Sequence, residues 1–303
     1  MILGIKTGPK NFEEGQATVT DAGARMAEIW FDVTKAFEYN DMLEWLTKHN
    51  VAIGLHHWGI VDKNLKTNLA TQDEAVREET MRQIKQTIDI GASIGCAYVN
   101  AHPGAEALET IDFTNWKQTM LEDKTTPEDI ARNLFLQAAQ ELTAYAQSKQ
   151  VLLTLESITA RESAINHDRF DIYDSGNMSL DALEEATKNG AWFANDISHT
   201  GTHLLVEHEN KSKAWEELIN FSTRLAPRTR LIHMNIITPP YNGTDSHDGI
   251  TDADFSQDTF PDKQGVIAFL QLFKNRGDVY VVNEPKGGVM GNFKALQKLA
   301  EGL

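Results

Sequence analysis

The sequence holds a single cysteine, Cys96, among 303 residues. No internal disulfide can form, and a site built on clustered thiolates is excluded. Long apolar runs are also missing, since none approaches the ~20 residues needed to cross a bilayer. No Gly-x-Gly-x-x-Gly follows the first apolar run, which speaks against an open dinucleotide-binding sheet and a nucleotide cofactor. Basic residues are scarce: 28 Lys and Arg against 44 Asp and Glu leave a formal net charge of −16. Such a surface repels polyanions and disfavours a broad nucleic-acid face, although a local basic cleft or bound metal cations would still attract an anion. Met1 leads straight into Ile2-Leu3-Gly4-Ile5, with neither a basic leader nor a cleavage site. The expectation is a cytoplasmic protein with no membrane contact.

What is present is one repeated phrase: an amphipathic helix, a Lys/Asn/Gly stop, then a short β-rich run. Thr47-Lys48-His49-Asn50 precedes Val51–Leu55, and Ser148-Lys149-Gln150 precedes Val151–Leu155. Lys188-Asn189-Gly190 and Asn275-Arg276-Gly277 repeat it before Ala191 and Val279. Asn and Gly suit the left-handed cap that ends a helix, and Lys or Arg suits the negative end of its dipole. With the less punctuated runs, eight strands are predicted, near 2–6, 26–31, 51–57, 97–102, 151–156, 191–197, 230–236 and 278–284. Helices are predicted between most pairs, including 73–92 and 128–147, the latter with Thr126 as N-cap and Pro127 at the first position. Strands alternating with helices form a parallel sheet, and eight such units close into a barrel. One α/β domain, a (β/α)8 TIM barrel over residues 1–303, is therefore expected. The segment 103–127 reads as an elaborated loop on the face where barrels carry function.

In a barrel the strands should be filled with packed aliphatic side chains. Here their C-terminal ends carry titratable ones: His56 and His57, His102, Glu156, Asp196 and His199, His233, and Glu284. Asp245 and His247 follow in the loop after the seventh strand. Six of the ten histidines fall on this rim, whereas His49, His167, His203 and His208 follow no pattern. A single histidine or strand-end carboxylate is ordinarily a satisfied core group or a helix cap. A whole rim of them is better explained by a divalent ion, because converging carboxylates repel one another without one. Imidazole and carboxylate without thiolate suit Zn²⁺, Mn²⁺ or Co²⁺.

These motifs, strand by strand, resemble the xylose isomerase-like superfamily, which includes sugar isomerases and epimerases and the family-2 apurinic endonucleases (endonuclease IV). His102-Pro103-Gly104 is similar to the family's His-Pro-Gly, and Leu155-Glu156-Ser157 carries its fifth-strand Glu. Asp196-Ile197-Ser198-His199 resembles Asp-x-x-His, His233-Met234-Asn235 resembles His-Leu-Asn, and Asp245-Ser246-His247 resembles Asp-Arg-His. Asn283-Glu284-Pro285 matches the closing Glu. With His56 (or His57) at the third strand, all nine positions of the endonuclease's three-metal cluster hold suitable residues: His56, His102, Glu156, Asp196, His199, His233, Asp245, His247 and Glu284. Departures separate the chain from the endonuclease. Ser246 and Ser198 replace its Arg and Cys, Ile5-Lys6-Thr7-Gly8 replaces its His-Val-Ser, and Gly59 or Ile60 stands where a DNA-contacting Tyr is expected. Ala27-Glu28-Ile29 instead resembles the isomerases' Val-Glu-Leu.

The resemblance thus implies a divalent-metal-dependent isomerase or epimerase of a small carbohydrate. Glu156, Asp196, His233 and Glu284 would hold the ion, and Glu156 and Glu284 would move the proton. His57, His102, His199 and Trp58 would contact substrate, with Trp30 and Trp58 as candidates for an apolar wall or for core aromatics. The alternative it implies is a zinc phosphodiester hydrolase acting on abasic DNA or another phosphodiester, the only reading with a nucleic-acid partner.

Overall fold

The computed structural model describes residues 1–114, 117–166, 169–208, 210–285 and 287–303. His167 lies outside the described residues. Eight parallel strands close into a barrel: β1 (Ile2–Thr7), β2 (Met26–Phe31), β3 (Ala52–His57), β4 (Tyr98–Ala101), β5 (Leu153–Glu156), β6 (Trp192–Asp196), β7 (Thr229–His233) and β8 (Tyr280–Asn283). The ladder runs in chain order, and β8 returns to pair with β1, Ile5 opposite Asn283. Every predicted strand is present. Most are a residue or two shorter than the predicted runs, several of them at the N-terminal end.

Nine helices are described: α1 (Phe12–Ala22), α2 (Asn40–Lys48), α3 (Glu74–Ile94), α4 (Glu128–Ser148), α5 (Leu180–Lys188), α6 (Ile197–His208), α7 (Lys211–Leu225), α8 (Lys263–Gln271) and α9 (Val289–Glu301). Asp73 caps α3 by accepting from the Val76 N–H at 3.3 Å, and Gly95 ends it at φ +65°. The expected Thr126 cap of α4 is not formed. Pro127 takes the cap position with ψ 141°, and the Thr126 hydroxyl accepts from the Gln72 N–H at 2.9 Å instead. Among the described residues no helix is long and apolar enough to cross a membrane.

Strand periodicity sorts the core. Outward positions such as Ile29, Phe31, Leu55 and Val99 are fully buried beneath the helices. Inward positions at the lower end, Met26, Tyr98, Ala194, Leu231 and Val282, fill the barrel with apolar volume. Tyr98 fits because Gly54 lies beside it in register; a Cβ there would stand 2.7 Å from the phenol oxygen. Two residues further along each strand the inward side chains become polar, and the site begins.

The loop expected at 103–127 carries an antiparallel hairpin, Ala107–Asp112 with Lys117–Thr125. A second hairpin, Glu162–Asn166 with Arg169–Tyr173, follows β5 and had no counterpart among the sequence-based expectations. Both lie on the C-terminal face.

Candidate metal centre and active site

The inward parity that places Met26 and Gly54 in the barrel continues to Glu28 and Trp30 on β2 and to His56 on β3. It settles the choice between adjacent histidines. His56 faces the centre, while His57 turns toward α3, its Nδ1 3.2 Å from the Thr87 hydroxyl. His57 reaches the cavity wall with its ring edge, and its Nε2 has no hydrogen-bond partner among the described residues. Burial, then the neighbouring charges of His56 and His102, lower its pKa to about 3.

Four groups of ligand atoms share the floor of this mouth, one of them Glu28, His56, His233 and Glu284, where Lys6 already sits among the carboxylates and His56. Of the others, Glu156, Asp196, His233 and Glu284 form the first, His56, His102 and Glu156 the second, and Asp196, His199 and His247 the third. Asp245 joins the third, with its Oδ2 3.5 Å from His199 Nε2 and in direct contact with His247 Nδ1. The nine rim residues, seven at or just past strand ends and two in the loop after β7, are therefore contiguous.

His233 is the hub. Its Nδ1 lies 3.0 Å from Glu156 Oε1, 3.0 Å from Glu284 Oε2 and 3.7 Å from Asp196 Oδ2. Its Nε2 points the other way, 3.0 Å from Glu28 Oε1. Asp196 divides its work: Oδ1 accepts from the Ser198 and His199 N–H groups at the start of α6, at 2.9 and 3.0 Å, and Oδ2 faces the cluster. Asn100 donates to Glu156 Oε2, and the Glu284 N–H donates to Asn235 Oδ1 at 2.9 Å.

Sequence reasoning passed over two participants. Lys6, on β1, contacts Glu28 and Glu284 and lies 2.6 Å from His56 Nδ1, its ammonium 3.8 Å above the Trp30 ring. Glu28 also accepts from the Tyr98 hydroxyl at 2.6 Å. The signal for Lys6 was a charged residue at an inward position of an otherwise apolar strand; Glu28 carried in addition the likeness of its strand to the isomerases' Val-Glu-Leu.

The electrostatics describe a site short of positive charge. Five buried carboxylates (Glu28, Glu156, Asp196, Asp245, Glu284) meet one lysine. Burial would push the Glu156 carboxyl up, but His233, His56 and His102 outweigh it and hold it well below the carboxylate range. Asp196 is raised by burial, partly offset by His199. Burial opposes charge on His233 and His199, yet Glu156, Glu28 and Glu284 raise the first, and Asp196 and Asp245 raise the second, well above the usual imidazole value. Groups that draw protons this strongly suit a divalent cation. The quartet Glu156, Asp196, His233 and Glu284 fits one: hard oxygens plus an imidazole lone pair, with His233 fixed from behind by Glu28.

Above the floor opens a cavity of about 340 Å³, at the small end of ligand sites. Trp30 and Trp58 form part of its wall, so both aromatics face the cavity rather than the core. The hairpin that starts at Ala107 brings Phe113 edge-on to Trp58 at 6.2 Å. Lys66 ties to the same hairpin through Glu109 at 2.6 Å and Gln118 at 2.9 Å. Glu109 Oε1 stays buried without a partner among the described residues. Arg161, Glu162 and Asn177 also line the cavity, and Asn177 pairs with Ala105 just before the hairpin.

A family model described as xylose isomerase-like TIM barrel matches residues 17–284. The chain belongs to that family. No curated protein matches the sequence. Among solved structures, the chain is similar to the 3-keto-D-glucoside 4-epimerase YcjR of E. coli, at TM-score 0.63 and 14% identity over 99% of both chains. It is also similar to endonuclease IV from Thermus thermophilus, at TM-score 0.57 and 12% identity over 100% of both. The TTHB071 protein of the same organism, from a crystal soaked with zinc chloride, gives TM-score 0.63 and 16% identity, covering 100% of this chain and 99% of that one. At these identities the likeness is one of fold. Solved structures that share this fold thus include sugar epimerases and an endonuclease.

Proposed function

We propose that this protein is a divalent-metal-dependent isomerase or epimerase of a small carbohydrate, working by proton transfer at a carbon beside a carbonyl. The observation that carries this reading is the placement of two carboxylates, Glu156 Oε1 and Glu284 Oε2, each 3.0 Å from the same His233 nitrogen on a closed cavity floor. Glu156, Asp196, His233 and Glu284 would hold the ion. Zn²⁺, Mn²⁺ or Co²⁺ there would polarise the substrate's carbonyl and hydroxyl oxygens and acidify the C–H between them.

The chain's own groups then do the rest. One of Glu156 and Glu284 removes the proton, and the other, or the same one, returns it. Their surroundings differ: Glu156 is held by a neutral amide, Asn100, and Glu284 by the Lys6 ammonium. Trp30 and Trp58 offer apolar faces to a sugar ring. His102, the more exposed of the rim histidines, reaches substrate hydroxyls, with His57 at the wall beside it. The buried Glu109 Oε1 at the wall accepts from a further hydroxyl. His199, its Nδ1 2.8 Å from the Ser157 carbonyl, turns Nε2 toward Asp245 and the cavity.

A second reading is a phosphodiester hydrolase of the endonuclease IV type, favoured by the contiguity of all nine strand-end ligands. Against it stand the small cavity beneath the hairpins and the charge of −16.

Deuterium exchange from solvent into a panel of ketoses, run beside cleavage of abasic DNA, separates the two. Metal-dependent exchange without cleavage is expected. Cleavage of abasic DNA, with no exchange into any ketose, would overturn the isomerase reading.

A further inference from the structure

The contact between Lys6 Nζ and His56 Nδ1, 2.6 Å long, constrains where His56 keeps its proton. An ammonium is all donors: three N–H bonds and no lone pair. The Lys6 ammonium forms an ion pair with Glu284, one of its donors meets Glu28 Oε1, and another meets His56 Nδ1. That nitrogen must therefore accept. A proton on it would set two donors against each other at hydrogen-bond distance, and the competing acceptor, Glu28 Oε1, lies farther off at 3.1 Å. A neutral imidazole with a lone pair on Nδ1 carries its hydrogen on Nε2. His56 Nε2 faces acceptors suited to that hydrogen, His102 Nε2 at 3.1 Å and Glu156 Oε2 at 3.5 Å. Lys6 has little freedom to withdraw, being 6% exposed, held by two hydrogen bonds and the Glu284 ion pair, and stacked on Trp30.

Given the proposed four-residue metal centre, we infer that Lys6 locks His56 as a hydrogen-bond donor and closes the neighbouring position, His56–His102–Glu156, to a metal ion. A metal there would need the lone pair on Nε2, which carries the hydrogen instead. His233 shows the opposite arrangement. Its rear nitrogen, Nε2, faces an acceptor, Glu28, so it keeps a hydrogen, and Nδ1, which faces Glu156, Asp196 and Glu284, is the nitrogen that would give its lone pair to an ion held among them. The same carboxylate stands behind both rings, and the lysine inserted at one of them reverses the outcome. A chain with the full complement of multinuclear ligands is thereby held to fewer ions than its ligands allow.

The test counts tightly bound Mn²⁺ or Zn²⁺ per chain in four purified proteins: wild type, His56→Gln, Lys6→Met and the double variant. Removing His56 from the wild type should leave the count unchanged. Lys6→Met should add one ion, and the double variant should lose it again. Loss of an ion on His56→Gln alone would overturn the inference, as would a folded Lys6→Met variant with the wild-type count. A wild type that binds no ion would overturn the metal centre itself, and the inference with it. Should Lys6→Met fail to fold, long-range ¹H–¹⁵N spectra of the wild type decide, with the His56 signals assigned by their loss in His56→Gln. A hydrogen on Nε2 is expected, and one on Nδ1 would overturn the inference.

Discussion

Glu28 Oε1 stands 3.0 Å from His233 Nε2, behind the imidazole whose other nitrogen points at three carboxylates. A carboxylate behind a ligand histidine fixes its tautomer and ring angle, and losing such a partner typically costs about 10–100-fold in metal affinity. Glu28→Gln should weaken metal binding by about that factor while Glu156, Asp196 and Glu284 stay in place. Titration calorimetry of the metal-free protein checks this. Unchanged affinity would mean that Glu28 serves only the fold.

Metal binding should also show as stability. A ligand that binds only the folded state at 100 times its dissociation constant adds about 2.7 kcal/mol. Mn²⁺ or Zn²⁺ should raise the melting temperature and a chelator should reverse the rise. Glu284→Gln, which removes a charge from the quartet, should largely abolish that metal-dependent shift in differential scanning fluorimetry.

Gly54 is required by Tyr98, and Tyr98 holds Glu28 through a 2.6 Å hydrogen bond. Gly54→Ala should force the phenol aside at a cost of about 1–3 kcal/mol, the usual range for an overpacked core. Urea unfolding measures the loss. Adding Tyr98→Leu should recover part of the stability and none of the metal affinity that depends on Glu28.

His203 supplies a pH dependence separate from the metal centre. Burial, opposed by the Ile158 carbonyl, lowers its pKa to about 4, against an ordinary value of 6.5. The unfolded chain therefore binds a proton that the folded one refuses between those values. Stability from this group is complete above about pH 6.5 and is lost as pH falls toward 4. His203→Gln, whose amide can still donate to the Ile158 carbonyl, should flatten that stretch of a stability–pH curve by about 1–3 kcal/mol.

The barrel and its ligand ring were legible because both obey short rules. Helix stops ahead of four strands set the repeat that the less punctuated runs completed, and titratable residues at the C-terminal ends of the third to eighth strands gave the rim. The choice between His56 and His57 was not legible, since adjacent strand residues face opposite sides and the parity is set by Gly54 against Tyr98. Lys6 and Glu28 were missed as members of the site for a related reason. Each looks like an ordinary charged residue until closure of the barrel, which pairs β1 with β2 and β8, brings the two together beside Glu284. The Thr126 cap failed because its hydroxyl found the Gln72 N–H, a partner 54 positions away that no local pattern announces.

The central claim is that one divalent ion is held by Glu156, Asp196, His233 and Glu284. Anomalous diffraction from crystals grown with Mn²⁺ or Zn²⁺ tests it most directly. A peak is predicted within bonding distance of His233 Nδ1 and of an oxygen from each of the three carboxylates, with His56 outside its coordination. A strong peak elsewhere on the rim with none at this quartet, or no peak at all, would contradict it.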